Sequence, residues 1–61
     1  PNPRIYQIAM DRLDAVPEKT LLLDDSLENV LAAREFGMHA VQFINTHQAL
    51  QMMRNTLKKE E

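Results

Sequence analysis

Two adjacent carboxylates, Asp24 and Asp25, end the apolar run Leu21-Leu22-Leu23 and stand just before Ser26. Placed side by side at the end of a buried segment, they repel each other, and burial disfavours their charged forms. Keeping both ionised there calls for a cation. The donors are oxygens with no histidine nearby in sequence, which favours a hard ion, and magnesium commonly takes one or two carboxylates together with water and substrate phosphate. On this chemistry Asp24 and Asp25 are candidate ligands of a partial Mg²⁺ site. The same two residues would also serve to end the strand and cap the next helix, with negative charge at its N-terminus. The acidic pair alone leaves both readings open.

The elements that would position the pair follow from pattern. Asn2 before Pro3 reads as a helix cap with proline at the first helical position, and Ile5, Ile8, Ala9 and Leu13 recur at helical spacing over residues 3–14. Val16-Pro17-Glu18-Lys19 breaks that helix and turns the chain. Thr20 to Leu23, apolar on both faces, reads as a central parallel strand covered on each side. Ser26 can cap a second helix packed through Leu27, Val30, Leu31 and Ala33, with Gly37 suited to the left-handed conformation that ends it. His39 to Ile44 gives a second strand, with Val41 and Phe43 on one side and Gln42 on the other. Asn45 or Thr46 can cap a last helix bearing Ala49, Leu50, Met53 and Leu57, with Lys58-Lys59 at the negative end of its dipole and Glu60-Glu61 fraying. The order helix-strand-helix-strand-helix is that of an α/β fold. Two parallel strands do not make a stable sheet alone, so the expected architecture is part of a Rossmann-like, three-layer parallel sheet. In such sheets ligands bind at the carboxyl ends of the strands, where the acidic pair falls.

Composition narrows the partners. A chain of 61 residues is at most one small domain and buries only ~60% of the surface it exposes when unfolded. Without cysteine it has neither a disulfide scaffold nor a zinc-thiolate site, and a cytoplasmic setting is expected. Seven basic and nine acidic residues are mixed along the chain for a net charge of -2, so no basic footprint for nucleic acid or anionic lipid is expected. The longest apolar run is far short of the ~20 residues of a membrane helix. Of the other polar residues, His39 and His47 are expected to be exposed rather than catalytic, and Asp11, Arg12 and Asp14 to form a solvated helix face. Tyr6 is expected to pack with its hydroxyl at the surface, Arg4 to be exposed, and Met52-Met53 to fill a helix face.

The stretch Leu22-Leu23-Asp24-Asp25-Ser26-Leu27-Glu28-Asn29-Val30, continuing through Ala32-Ala33 to Gly37-Met38 and Val41, is similar to the fourth motif of haloacid-dehalogenase-like hydrolases. There an apolar strand ends in an acidic pair, an Asp or Asn follows four residues on, and a helix with paired alanines leads to Gly and an apolar strand. Pro1-Asn2-Pro3-Arg4-Ile5-Tyr6 resembles the stretch after the phosphate-binding lysine of the third motif. The resemblance spans nearly the whole chain.

This resemblance implies that residues 1–61 are the C-terminal part of a haloacid-dehalogenase-like core domain, with the nucleophile strand and the cap domain lying elsewhere. It implies Asp25 as the direct Mg²⁺ ligand, Asp24 as a ligand through water or a support, and Asn29 as a holder of metal-bound water. The implied reaction is Mg²⁺-dependent hydrolysis of a small phosphomonoester, a sugar phosphate or nucleotide, through a phosphoaspartyl intermediate. A dehalogenase fits less well, because those relatives need no metal and lack the acidic pair. The nucleophile would be an aspartate on a neighbouring strand, with an acid-base aspartate two residues on, and no Asp-x-Asp occurs here. The implied partners are a phosphorylated metabolite and the remainder of the core and cap, and the 61 residues alone are expected to be inactive. The same stretch also resembles the start of a response-regulator receiver domain, but the short second helix and the helix before the first strand fit that pattern less well. A non-catalytic α/β binding fragment is the remaining alternative.

Overall fold

The computed structural model describes residues 2–59, the last of these for its backbone only. Pro1, the first residue of the stretch resembling the third motif, and the fraying expected at Glu60-Glu61 lie outside the described residues. The order of elements is the expected one: helix α1 (Pro3–Leu13), a 3₁₀ turn (Pro17–Lys19), strand β1 (Leu21–Asp24), helix α2 (Leu27–Phe36), strand β2 (His39–Gln42) and helix α3 (Thr46–Lys59).

Local chemistry sets the ends of these elements. The side chain of Asn2 accepts the Arg4 N–H at 2.9 Å and caps α1. Ser26 Oγ accepts the Asn29 N–H at 3.3 Å and caps α2, and Asn45 Oδ1 accepts the Gln48 N–H at 2.9 Å at the start of α3; each satisfies a donor the helix leaves orphaned. Gly37 ends α2 at φ 108°, a conformation closed to L side chains without strain. α1 stops earlier than the turn-forming Val16-Pro17 would require, because Asp14 takes the left-handed conformation at φ 52°.

β1 and β2 pair in parallel, Leu21 with His39, Leu22 with Ala40, Leu23 with Val41 and Asp24 with Gln42. Since alternate residues of a strand face opposite sides, the register divides the apolar residues into two layers. Leu22 and Ala40 face the cluster built from Met10 of α1, Val30 and Ala33 of α2, and Met38. Val41 is buried outside that cluster, as is Ala49, and α3 packs against β2. The result is helix, sheet, helix: a piece of a Rossmann-like three-layer fold. Complete burial of Val30 contributes about 1.5–3 kcal/mol. The Arg34 guanidinium donates twice to the Ala40 carbonyl, from Nε at 3.1 Å and Nη2 at 2.9 Å, and ties α2 to β2.

Burial departs from the sequence reading at several positions. α1 packs through Tyr6, Ala9 and Met10, while Ile5 is 64% exposed and Ile8 and Leu13 are also open. α2 buries Val30 and Ala33 but leaves Leu27 and Leu31 about half exposed. α3 buries Ala49, half-buries Met53 and exposes Leu50 and Leu57. Leu23 is 42% exposed on a strand expected to be covered on both faces, and Phe43 and Ile44 lie beyond the end of β2 and are exposed. The cause is common to all of them. A two-stranded sheet covers only the strip of each helix directly above it, and the flanking apolar positions find no cover among the described residues.

Candidate metal centre

β1 delivers Asp24 to the carboxyl end of the sheet, where the Phe43 N–H donates to its carbonyl at 2.8 Å and carries the pairing just past β2. The chain then turns through Asp25 and Ser26 into α2. Asp24 is half-buried, and both its carboxylate oxygens are engaged. Oδ1 accepts the Ser26 N–H at 2.8 Å and Oδ2 accepts the Asn29 Nδ2 at 3.2 Å. The Ser26 N–H bond chiefly, then the Asn29 amide, hold the Asp24 carboxyl below its ordinary value of 3.8; burial pushes the other way and a smaller downward effect comes from Asp25. Asp25 itself is exposed, and its main-chain carbonyl accepts the Gln42 Nε2 at 3.2 Å. The structure therefore brings Asp24 and Asn29 into direct contact and sets Asp25 beside them at the surface.

Asn29 is fixed from a second direction. The Tyr6 hydroxyl donates to its main-chain carbonyl at 3.1 Å, and the Tyr6 ring packs against Phe36 with centroids 5.7 Å apart. The half-buried Tyr6 thus packs as expected, and its hydroxyl binds the first turn of α2. Asn2, Ile5, Tyr6, Leu22, Asp24 and Asn29 line a cleft of about 280 Å³ beside the pair. On the other side, the Gln48 Nε2 donates to the Gln42 carbonyl at 2.9 Å and its Oε1 accepts the Ile44 N–H at 3.0 Å. The reach of Gln42, Gln48 and the Tyr6 hydroxyl to these main-chain groups was not foreseen from sequence. A polar residue next to an apolar strand is the only sequence trace they leave, and it does not say what they reach.

The histidines stand apart from this cluster. His39 begins β2, at the opposite end of the sheet from the acidic pair; it is half-buried rather than exposed, with Nε2 2.8 Å from the Glu18 carbonyl. His47 is exposed, as are Arg4, Asp11, Arg12 and Asp14.

The donor set suits a hard divalent cation in kind but falls short in number. Asp24 and Asp25 supply carboxylates, and Asn29, with its amide nitrogen turned to Asp24, keeps Oδ1 as an acceptor. Among the described residues no three of His, Cys, Asp and Glu converge where a metal could be held. No helix among them is long and apolar enough to cross a membrane.

No protein-family model matches the chain. Known proteins do. Over 50 residues, 82% of this chain, it is 40% identical to bifunctional epoxide hydrolase 2 of Mus musculus, and the match covers 9% of that protein. Over 41 residues, 67% of this chain, it is 39% identical to the phosphorylated carbohydrates phosphatase of Thermotoga maritima and to protein CbbY of Cereibacter sphaeroides, covering 19% and 18% of those proteins. This chain is homologous to a segment of haloacid-dehalogenase-like phosphatases. It spans less than a fifth of the length of these relatives. Haloacid-dehalogenase-like enzymes generally use Mg²⁺, and the parallel sheet with helices on both faces agrees with their fold.

Proposed function

We propose that these 61 residues are the C-terminal part of the core domain of a Mg²⁺-dependent phosphatase acting on a small phosphomonoester, with the nucleophile strand and cap domain outside the segment. The observation that carries the proposal is the state of the acidic pair. Asp24 is held ionised by hydrogen bonds to both oxygens, and Asp25 is exposed at the carboxyl end of the same strand. In this reading Asp25 is the direct ligand, Asp24 fixes the local charge and supports the site, and Asn29 Oδ1 holds a metal-bound water. Bound Mg²⁺ would supply neutralisation of the phosphoryl oxygens and of the carboxylates facing them. The chain's own residues hold the Asp24 carboxylate ionised against Ser26 and Asn29 and leave Asp25 exposed just past the carboxyl end of β1. The attacking carboxylate, which would form a phosphoaspartyl intermediate, belongs to the part of the core outside the segment. A sugar phosphate is the favoured substrate, in keeping with the name of the Thermotoga maritima relative, and a nucleotide is the second choice.

A receiver-like signalling piece gains nothing from the structure: α2 has only ten residues and α1 packs in front of β1 as an integral part of the core. The decisive experiment is Asp25→Ala in the complete protein that carries this segment. Phosphatase turnover is expected to fall by about a hundredfold or more with unchanged thermal midpoint. Near-normal Mg²⁺-dependent turnover in that variant would reduce the acidic pair to a strand end and helix cap.

A further inference from the structure

The side chain of Gln42 does work that the metal reading leaves unassigned. It projects from the last residue of β2, opposite Asp24 in the ladder, and its Nε2 reaches across to the main-chain carbonyl of Asp25 at 3.2 Å. Asp25 has few other anchors. It lies outside β1 and α2, it is exposed, and the neighbouring cap bonds are made by Asp24 and Ser26. A peptide carbonyl fixed in space fixes the plane of the Asp25–Ser26 link, and with it the direction in which the Asp25 side chain leaves the loop. Gln42 is itself held, since its carbonyl accepts the Gln48 Nε2 at 2.9 Å. The same Gln48 side chain closes the turn into α3 through the Ile44 N–H at 3.0 Å.

We infer that Gln42 is a positioning residue that aims the Asp25 carboxylate for Mg²⁺ through its bond to the Asp25 main-chain carbonyl. This rests on the proposed metal-dependent reading of the same site. Groups that orient a ligand without touching the metal commonly change metal affinity by about tenfold or more. The expected effect is therefore a weaker hold on the cation rather than a slower reaction once it is bound.

The test compares three variants of the complete protein by calorimetric titration with magnesium chloride. Gln42→Met keeps the length of the side chain and removes the donor. It is expected to weaken Mg²⁺ binding about tenfold, to speed amide exchange at Asp25 and Ser26 in the metal-free protein, and to leave kcat at saturating Mg²⁺ within about twofold of wild type. Gln48→Met removes the bond to the Gln42 carbonyl but keeps the Gln42 side-chain donor, and is expected to weaken Mg²⁺ binding by clearly less than Gln42→Met does. Wild-type affinity in Gln42→Met would overturn the inference, and so would an equal loss in Gln48→Met, which would mark a general loosening. Asp25→Ala separates the two levels. Loss of its binding heat with wild-type behaviour of Gln42→Met sinks the role of Gln42 alone, whereas full binding by Asp25→Ala sinks the metal reading and the inference together.

Discussion

Asp24 carries two hydrogen bonds on one carboxylate, and that arrangement has a sign that titration can read. Its folded pKa lies below the ordinary 3.8, chiefly through the Ser26 N–H and then the Asn29 amide. The ionised form therefore favours the folded state at pH values above the ordinary one. The contribution is lost as pH falls through the lowered value, where protonation breaks the acceptor geometry. In the metal-free protein the carboxyl carbon resonance of Asp24 is expected to titrate below 3.8, and Asn29→Ala to move its midpoint upward; an unmoved midpoint would show that the amide contributes nothing. Tyr6→Phe removes only the hydroxyl that meets the Asn29 carbonyl. It is expected to cost about 1 kcal/mol in chemical denaturation while keeping the ring against Phe36. Sequence placed the acidic pair correctly at a strand end, because an apolar run halting at two charges can hardly be anything else. It could not show that Asp24 engages both carboxylate oxygens within the protein while Asp25 stays exposed, since that depends on where Ser26 and Asn29 turn.

At the scale of elements, the caps were legible and the faces only in part. Asn2, Ser26 and Gly37 act on neighbours within a few residues, so residue type and spacing suffice to place them. The two left-handed positions show the limit. Asp14 sits at φ 52°, inside the narrow region an aspartate tolerates, whereas Gly37 sits at φ 108°, beyond it. A Cβ at Gly37 would meet Pro17 Cβ at an ordinary 3.6 Å, so conformation rather than crowding sets the penalty. Gly37→Ala is expected to lower stability by about 1–2 kcal/mol, read as a reduced midpoint in thermal unfolding of the complete protein. The buried faces were legible only in part, for a different reason. Val30, Ala33 and Tyr6 pack as expected, but Ile5, Leu27 and Leu31 obey the same helical periodicity and stay exposed, while Met10, which the pattern did not single out, joins the buried cluster. Periodicity reports an apolar arc wide enough for several neighbours and cannot say which neighbour is at hand.

For the molecule as a whole, the exposed arcs and the narrow sheet describe one condition. Ile5, Ile8, Leu13 and Leu23 are open, and β1 pairs only with β2 among the described residues. A synthetic peptide of residues 1–61 is expected to self-associate at micromolar concentration in sedimentation velocity and to hydrolyse no p-nitrophenyl phosphate. Monomeric behaviour with a sharp, cooperative melt would contradict the proposal that a larger core covers these surfaces. The Rossmann-like topology itself was legible, because a helix between two short apolar runs leaves a parallel crossover as the simple solution. The unpaired side of β1 has one more consequence. A bare strand edge is a template on which further copies can stack into a fibre, and this one terminates in Asp24 with Asp25 directly after it. Copies stacked in parallel register would pile carboxylate upon carboxylate along the growing axis. In the isolated segment the two acids would thus oppose such stacking by like-charge repulsion before any cation arrives.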